Sequence, residues 1–194
     1  MKQYIILSVI SIFACKSKTD NTPTLPPSQE AIAITATPEN DTTQIIGNIK
    51  QFVRWYKENY HVVNGVKFTS TDKKGNYQVN LDECKKFLNN LTSSGYISQE
   101  YVTAWTKYFE SQVEYFQKNP MNEGPPEGFD HDLVFLTQEP ELVWNDVEKM
   151  TFEISKDDEG KTIAILGGDL GYTFEMGKED GKWKIEYIAT MNYD

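Results

Sequence analysis

The segment EGFDHDLVFLTQEPE, residues 127–141, gathers the side chains best suited to chemistry in this chain. Carboxylates next to an imidazole can transfer protons or hold a hard cation. The segment is therefore the candidate site. Its candidate catalytic residues are Asp130, His131 and Asp132, and further polar side chains follow at Gln138, Glu139 and Glu141.

A structural role is the favoured alternative for the same segment. Aspartate side chains in turns accept backbone amide hydrogen bonds, so Asp130 and Asp132 could pin the loop where it enters the domain, with Gln138 acting similarly. The spacing lacks the glycine and later glutamate of a calcium loop. His61 and His131 are 70 residues apart, which disfavours a zinc site. We expect no metal and no cofactor.

Arg54 is the only arginine of the chain. Its planar, permanently charged guanidinium favours paired binding of a carboxylate. We expect it to pair with a buried carboxylate, Asp130 or Asp132, and so to lock the first helix to the loop. The alternative is an anionic ligand, which makes Arg54, Asp130, Asp132 and Glu139 the candidate ligand-binding residues.

Other catalytic patterns are absent from the sequence. It shows no Ser-His-Asp order, no C-x-x-C and no phosphate-binding glycine loop, because the glycines at 167–171 lie between strands rather than before a helix. Cys84 falls on the apolar stripe of a predicted helix, far in sequence from either histidine. It is predicted to be a buried side chain rather than a nucleophile.

Composition and charge limit the partners. The chain is 39% hydrophobic and 13% aromatic, which is enough to build a core without disulfides or metal. Its net charge of −10 repels phosphate backbones, so nucleic acid is not expected as a partner. The acidity otherwise indicates a solvated surface.

Three helices are predicted from apolar side chains at helical spacing. The first opens at Asp41-Thr42 and ends near Tyr60, the second is capped by Asn80 and stops at Gly95, and the third is capped by Ser98 and ends at Asn119-Pro120. An irregular hairpin is expected between the first two, with turns at Asn64-Gly65 and Lys74-Gly75.

After residue 149 the apolar side chains recur at every second position instead of at helical spacing. This alternation predicts four strands of an antiparallel meander. The core-facing side chains are expected to be Met150, Phe152 and Ile154; Ile163 and Ile165; Leu170, Tyr172, Phe174 and Met176; and Trp183, Ile185 and Tyr187. Helices followed by an antiparallel sheet with one apolar face predict an α+β fold, with three helices packed on a curved sheet.

The N-terminus, MKQYIILSVISIFACKSK, predicts a signal sequence. Residues 4–14 form an apolar run of 11, too short to span a bilayer. Residues 12–15, IFAC, resemble the lipobox of bacterial lipoproteins. That resemblance implies cleavage after residue 14, lipidation of Cys15 with diacylglycerol and acyl chains such as palmitate, and attachment to a membrane. Lys16, where inner-membrane lipoproteins carry an aspartate retention signal, favours the outer membrane.

The rest of the chain divides at residue 40. Residues 15–40 are rich in Thr, Pro and Ser and predict a disordered tether. Residues 41–194 are expected to form a single α+β domain. The lipobox and the composition resemble those of the Bacteroidota.

The layout resembles the cone-shaped, cystatin-like fold shared by ketosteroid isomerase and nuclear transport factor two. The segments FVRWYKENY, LTSSGYISQEYV, GFDHDLVFLTQEPE and DGKWKIEYI also resemble an uncharacterised family of secreted bacterial lipoproteins, a domain of unknown function. The isomerase's catalytic motif has no counterpart here, so its residue roles do not transfer.

These features predict a lipid-anchored envelope protein that acts as a non-catalytic binding or interaction module. Its partner would be a small ligand or another envelope protein, on the periplasmic or surface face of the outer membrane. The alternative is a hydrolase or isomerase that uses the carboxylates of residues 130–132 in the pocket of the cone.

Overall fold

The computed structural model describes residues 38–145, 147–167 and 171–190. The contacts group residues 36–194 in one unit. The predicted signal peptide, Cys15, the tether up to residue 37 and Leu170 lie outside the described residues. The predictions made for these residues rest on the sequence alone.

Three long helices are α1 (Pro38–Val63), α2 (Leu81–Thr92) and α3 (Gln99–Lys118). The two predicted caps are confirmed: the Asn80 side chain accepts from the Glu83 amide, and the Ser98 side chain accepts from the Tyr101 amide. The prediction that α1 opens at Asp41-Thr42 is wrong.

Helix α1 begins at Pro38, whose fixed φ suits the first helical position. Asp41 lies within the first turn, where a carboxylate is favoured by the helix dipole. Its carboxylate accepts from the Lys178 ammonium at 3.0 Å and from the Trp183 indole N–H at 3.1 Å. These bonds lower the pKa of Asp41 and join the start of α1 to the sheet.

Two smaller elements accompany the helices. The predicted hairpin is present as β1 (Thr69–Thr71) and β2 (Tyr77–Val79). A short helix, α4 (Glu141–Asn145), follows Pro140 and was not anticipated.

The predicted meander is confirmed as four antiparallel strands in sequential order: β3 (Phe152–Lys156), β4 (Thr162–Leu166), β5 (Tyr172–Glu179) and β6 (Lys182–Thr190). Helices α1 and α3 pack on β6, and α2 packs on α1 and α3. The fold is α+β, with helices on one face of an antiparallel sheet.

The prediction of which β4 side chains face the core is wrong. Thr162, Ala164 and Leu166 are buried, whereas Ile163 and Ile165 are only partly covered. In the strand TIAIL, apolar residues occupy consecutive positions and therefore lie on both faces of the strand. Its sequence alone does not determine which face is buried. The register selects it: Ala164 lies opposite Phe174 on β5 and Ile154 on β3, where two large side chains leave room for a small one.

A β-bulge reverses the last predicted face. Tyr187 pairs with Glu175, but the next pair is Ile185 with Met176, so Glu186 is an extra residue in β6. Before the bulge the core-facing residues of β6 have odd numbers, and after it they have even numbers. Ile188 is therefore buried, and Tyr187, predicted to face the core, is 43% exposed.

Aromatic side chains fill the space between α1 and the sheet. The Tyr56 ring of α1 meets the Phe135 ring edge-on at 5.3 Å, and Phe135 in turn meets Tyr172 of β5 at 5.9 Å. All three are buried. In the described part of the chain, no helix has both the length and the apolar character needed to cross a membrane.

Candidate functional site

Tyrosine hydroxyls hold the loop that carries the predicted site. The loop between α3 and α4 receives hydrogen bonds from tyrosines of α1, β2, α3 and β5. The donor and acceptor pairs are Tyr56 with Asp132, Tyr77 with the Gly124 carbonyl, Tyr108 with the Gly128 carbonyl, Tyr115 with Glu127, and Tyr172 with the Phe135 carbonyl. A tyrosine has an apolar body that packs and a polar end that binds, so the loop is fixed by the domain around it.

Asp132 is committed to structure. Its Oδ1 accepts the backbone amides of Val134 at 3.0 Å and Phe135 at 2.7 Å, and its Oδ2 accepts the Tyr56 hydroxyl. The residue is 7% exposed. Burial raises the pKa of this carboxyl above its usual value, although the three hydrogen bonds act in the opposite direction. Asp132 thus pins the loop, as the structural alternative expects.

Tyr56 extends this network into α1. Its hydroxyl donates to Asp132 and accepts from the Asn64 amide at 2.6 Å. Burial, followed by the nearby Asp132 charge, raises the pKa of Tyr56. The phenol therefore remains a hydrogen-bond donor to Asp132 and cannot serve as a base.

Asp130 and His131 face outward from the same segment. The His131 Nδ1 lies 3.0 Å from the Asp130 carboxylate, and this contact lowers the pKa of Asp130. The His131 side chain is 28% exposed, and that of Asp130 is 41% exposed. The structural role predicted for Asp130 was to accept backbone amides; its carboxylate contacts the His131 imidazole, and a hydrogen bond from its own backbone amide also lowers its pKa.

The partner predicted for Arg54 is wrong. Its Nε donates to Glu148 at 2.5 Å, and the two side chains are 46% and 65% exposed. This pair raises the pKa of Arg54 and lowers that of Glu148. The helical phase of α1 explains the difference: Tyr56 points inward to Asp132, so Arg54, two residues earlier, lies on the outer side.

The remaining candidates lie at the surface or in the core. Gln138, Glu139 and Glu141 are exposed, and the Thr137 hydroxyl accepts the Glu139 amide at 3.1 Å in the turn where Gln138 was expected to act.

Cys84 is buried, as predicted, and burial raises the pKa of its thiol to about 12. A thiol in that state is a poor nucleophile.

A surface cleft of about 370 Å³ lies beside His131. We call it the α3–β6 cleft. It is lined by Ala104, Trp105, Tyr108, His131, Leu136, Tyr187 and Ile188. The volume is within the range of small-molecule sites, and the lining is mainly apolar and aromatic. The sequence singled out His131 as a candidate but indicated neither this cleft nor its aromatic walls.

Three elements position this lining. The Ser98 amide donates to the Ile185 carbonyl at 3.1 Å, which places the start of α3 against β6. Trp105 and Tyr108 then follow on one side of α3, with ring centroids 5.1 Å apart and planes at 79°. The β6 bulge turns Tyr187 outward on the second side of the cleft. The loop between α3 and α4 forms the third side, where Leu136 has a φ of 52°.

The chemistry of this lining is limited. His131 is the one basic side chain among the seven lining residues, which include no serine, cysteine, lysine or carboxylate. Within the described ranges, no group of three His, Cys, Asp or Glu side chains is arranged to hold a metal ion. The arrangement is suited to binding by aromatic contact, with one Asp-His pair at the edge.

Comparisons of this chain with protein-family models, with curated proteins and with solved structures found no match. The resemblances to a cone fold and to a lipoprotein family stay predictions from the sequence.

Proposed function

We propose that the protein is a lipid-anchored envelope protein whose domain is a non-catalytic binding module, with the α3–β6 cleft as its ligand site. The observation that carries the proposal is that Asp132 is engaged in hydrogen bonds within the domain. Both oxygens of this buried carboxylate are occupied by Val134, Phe135 and Tyr56, so the best acid of the candidate segment is unavailable for proton transfer.

The cleft supplies the binding surface that this proposal needs. Aromatic side chains provide large contact areas at a small entropic cost, because each has only two rotatable side-chain bonds. Trp105 and Tyr108 are held in place by α3, and Tyr187 lies on a strand of the sheet. A rigid wall of this kind loses little freedom when a ligand binds.

Membrane attachment rests on the lipobox resemblance at residues 12–15 and on the tether that follows it. Several acyl chains on one cysteine would give stable anchoring. The domain would then meet ligands or other envelope proteins close to the membrane surface.

A second candidate function is an enzyme that uses the Asp130-His131 pair. The observation in its favour is geometric: an imidazole at 3.0 Å from a carboxylate also lines an aromatic cleft. A carboxylate in that position orients a histidine for general-base catalysis. The described lining residues include no serine or cysteine for such a base to activate, so a reaction that relies on them would have to use water or remove a substrate proton.

Turnover assays separate the two functions. We expect the purified protein to show no turnover on broad hydrolase and isomerase panels. His131→Gln and Asp130→Asn serve as matched variants, because both residues lie at the surface and their exchange leaves the Asp132 network intact. Turnover by the wild type that is lost in His131→Gln would establish the enzyme and refute the binding module.

A further inference from the structure

We infer that the α3–β6 cleft binds a small organic cation, such as an alkylated ammonium group carried on an apolar or aromatic body. The inference rests on the proposed function, since it names the ligand class of the same cleft. It follows from the combination of aromatic faces and negative charge that the described residues place there.

The aromatic geometry is the first step. Trp105 and Tyr108 stand nearly perpendicular, with ring centroids 5.1 Å apart, and Tyr187 adds a third ring from β6. Aromatic faces carry negative electrostatic potential, and a corner of such faces attracts a cation that has lost part of its water. Quaternary ammonium groups are recognised in this way because their charge is spread over apolar methyl groups.

The electrostatic surroundings are the second step. Among the residues that the structure describes, no lysine or arginine lines the cleft, and the carboxylate of Asp130 lies beside His131 at its edge. Burial raises the pKa of the Tyr108 hydroxyl, and the charges of Asp130 and Glu127 raise it further, so both carboxylates act on this wall. The net charge of −10 adds a long-range attraction for cations.

Charge complementarity also argues against the other ligand classes. An anion would approach these carboxylates, and the imidazole of His131, which already pairs with Asp130, is the one side chain of the described lining that could carry a positive charge. A neutral apolar molecule would gain the same contact area but nothing from the negative field. A cation with apolar substituents uses both features of the cleft.

The test compares two ligands of nearly equal shape, (4-hydroxyphenyl)trimethylammonium and its uncharged analogue 4-tert-butylphenol. Binding to the full chain is measured by calorimetry or protein-observed NMR titration. We expect the cation to bind roughly tenfold more tightly, the difference that a partly desolvated cation–aromatic contact supplies. Its advantage should shrink as salt is added, because the carboxylates at the cleft are screened.

Two variants of one residue provide the control. Tyr187→Phe keeps the ring and should keep the preference for the cation. Tyr187→Leu keeps apolar contact but removes the aromatic face, so the preference should fall severalfold while 4-tert-butylphenol still binds. Tyr187 is 43% exposed, and thermal unfolding verifies that both variants fold.

The outcomes are distinguishable. Equal or tighter binding of 4-tert-butylphenol in the cleft would overturn the cation inference and leave the binding module intact. Absence of binding by either compound would overturn the inference, and the proposed function would then depend on whether any other small molecule maps to the cleft. A cation preference unchanged in Tyr187→Leu would also contradict the inference.

Discussion

Asp132 shows how a residue with catalytic chemistry can be used entirely for structure. Its two oxygens accept three hydrogen bonds, two from the loop backbone and one from α1. Removing such an acceptor leaves buried donors unpaired, which costs more than the bond itself contributes. The residue therefore joins α1 to the loop beside the cleft.

Substitution of Asp132 measures this role. Asp132→Ala should lower the free energy of unfolding by about 2–4 kcal/mol, because two backbone amides and the Tyr56 hydroxyl lose their acceptor. Asp132→Asn should cost less, since its side-chain oxygen can still accept the amides of Val134 and Phe135. Chemical denaturation of both variants checks the order, and equal stability of Asp132→Ala and wild type would contradict it.

The same carboxyl gives a dependence on pH. Burial raises its pKa in the folded protein, so the folded state holds the proton more tightly than the unfolded chain. Its contribution to stability is therefore full below the ordinary pKa of about 3.9 and is lost as pH rises through the higher folded value. Asp132→Asn lacks this loss.

Denaturation of wild type and Asp132→Asn at acidic and neutral pH tests the sign. The stability of the variant relative to wild type should improve as pH rises through that window. A relative stability that stays constant or declines with pH would mean that burial does not raise the pKa of Asp132.

At the scale of elements, helices and strands differed in how well the sequence predicted them. The helix stripes and the Asn80 and Ser98 caps are local signals, so they were found. The faces of β4 and β6 depend on register and on a bulge at Glu186, which are set by neighbouring strands. When apolar residues occur on both faces of a strand, its sequence alone does not show which face is buried.

The loop at the cleft depends on a glycine in close contact with α3. Gly128 has a φ of 80°, and a Cβ there would lie 2.5 Å from the Tyr108 hydroxyl. That hydroxyl donates to the Gly128 carbonyl at 3.0 Å. The loop therefore approaches α3 as closely as a glycine allows.

Two glycines of this loop form a matched pair for a test. Gly124 has a similar φ of 74° but open space around the Cβ position. Gly124→Ala should cost about 1–2 kcal/mol from the left-handed backbone alone. Gly128→Ala should cost about 1 kcal/mol more, because it also disturbs the Tyr108 hydrogen bond. Equal losses in thermal or chemical unfolding would show that the close approach is unimportant.

At the scale of the whole molecule, the sequence predicted part of the candidate site. The segment 130–132 was identified, and it provides His131 to the cleft. The aromatic walls were missed because Tyr187 was expected on the core face and neither Trp105 nor Tyr108 was among the candidate site residues. Their meeting is produced by the contact of α3 with β6, which no local spacing reveals.

Membrane attachment has a test of its own. Cys15→Ala should abolish metabolic labelling with a clickable fatty acid, because the thiol is the predicted acceptor. Cys84→Ala is the control and should retain labelling, since Cys84 is buried in the domain. Labelling that persists in Cys15→Ala would refute lipidation at that residue.

The central claim is that the domain binds a small ligand in the α3–β6 cleft, and protein-observed NMR with a chemically diverse fragment library tests it most directly. Ala104→Trp should fill the cleft, whereas Glu114→Trp adds the same side chain to an exposed site farther along α3. We predict that fragment-induced shifts cluster on Ala104, His131, Leu136 and Ile188 and disappear only in Ala104→Trp. Shifts that map elsewhere, or that survive in Ala104→Trp, would contradict the claim.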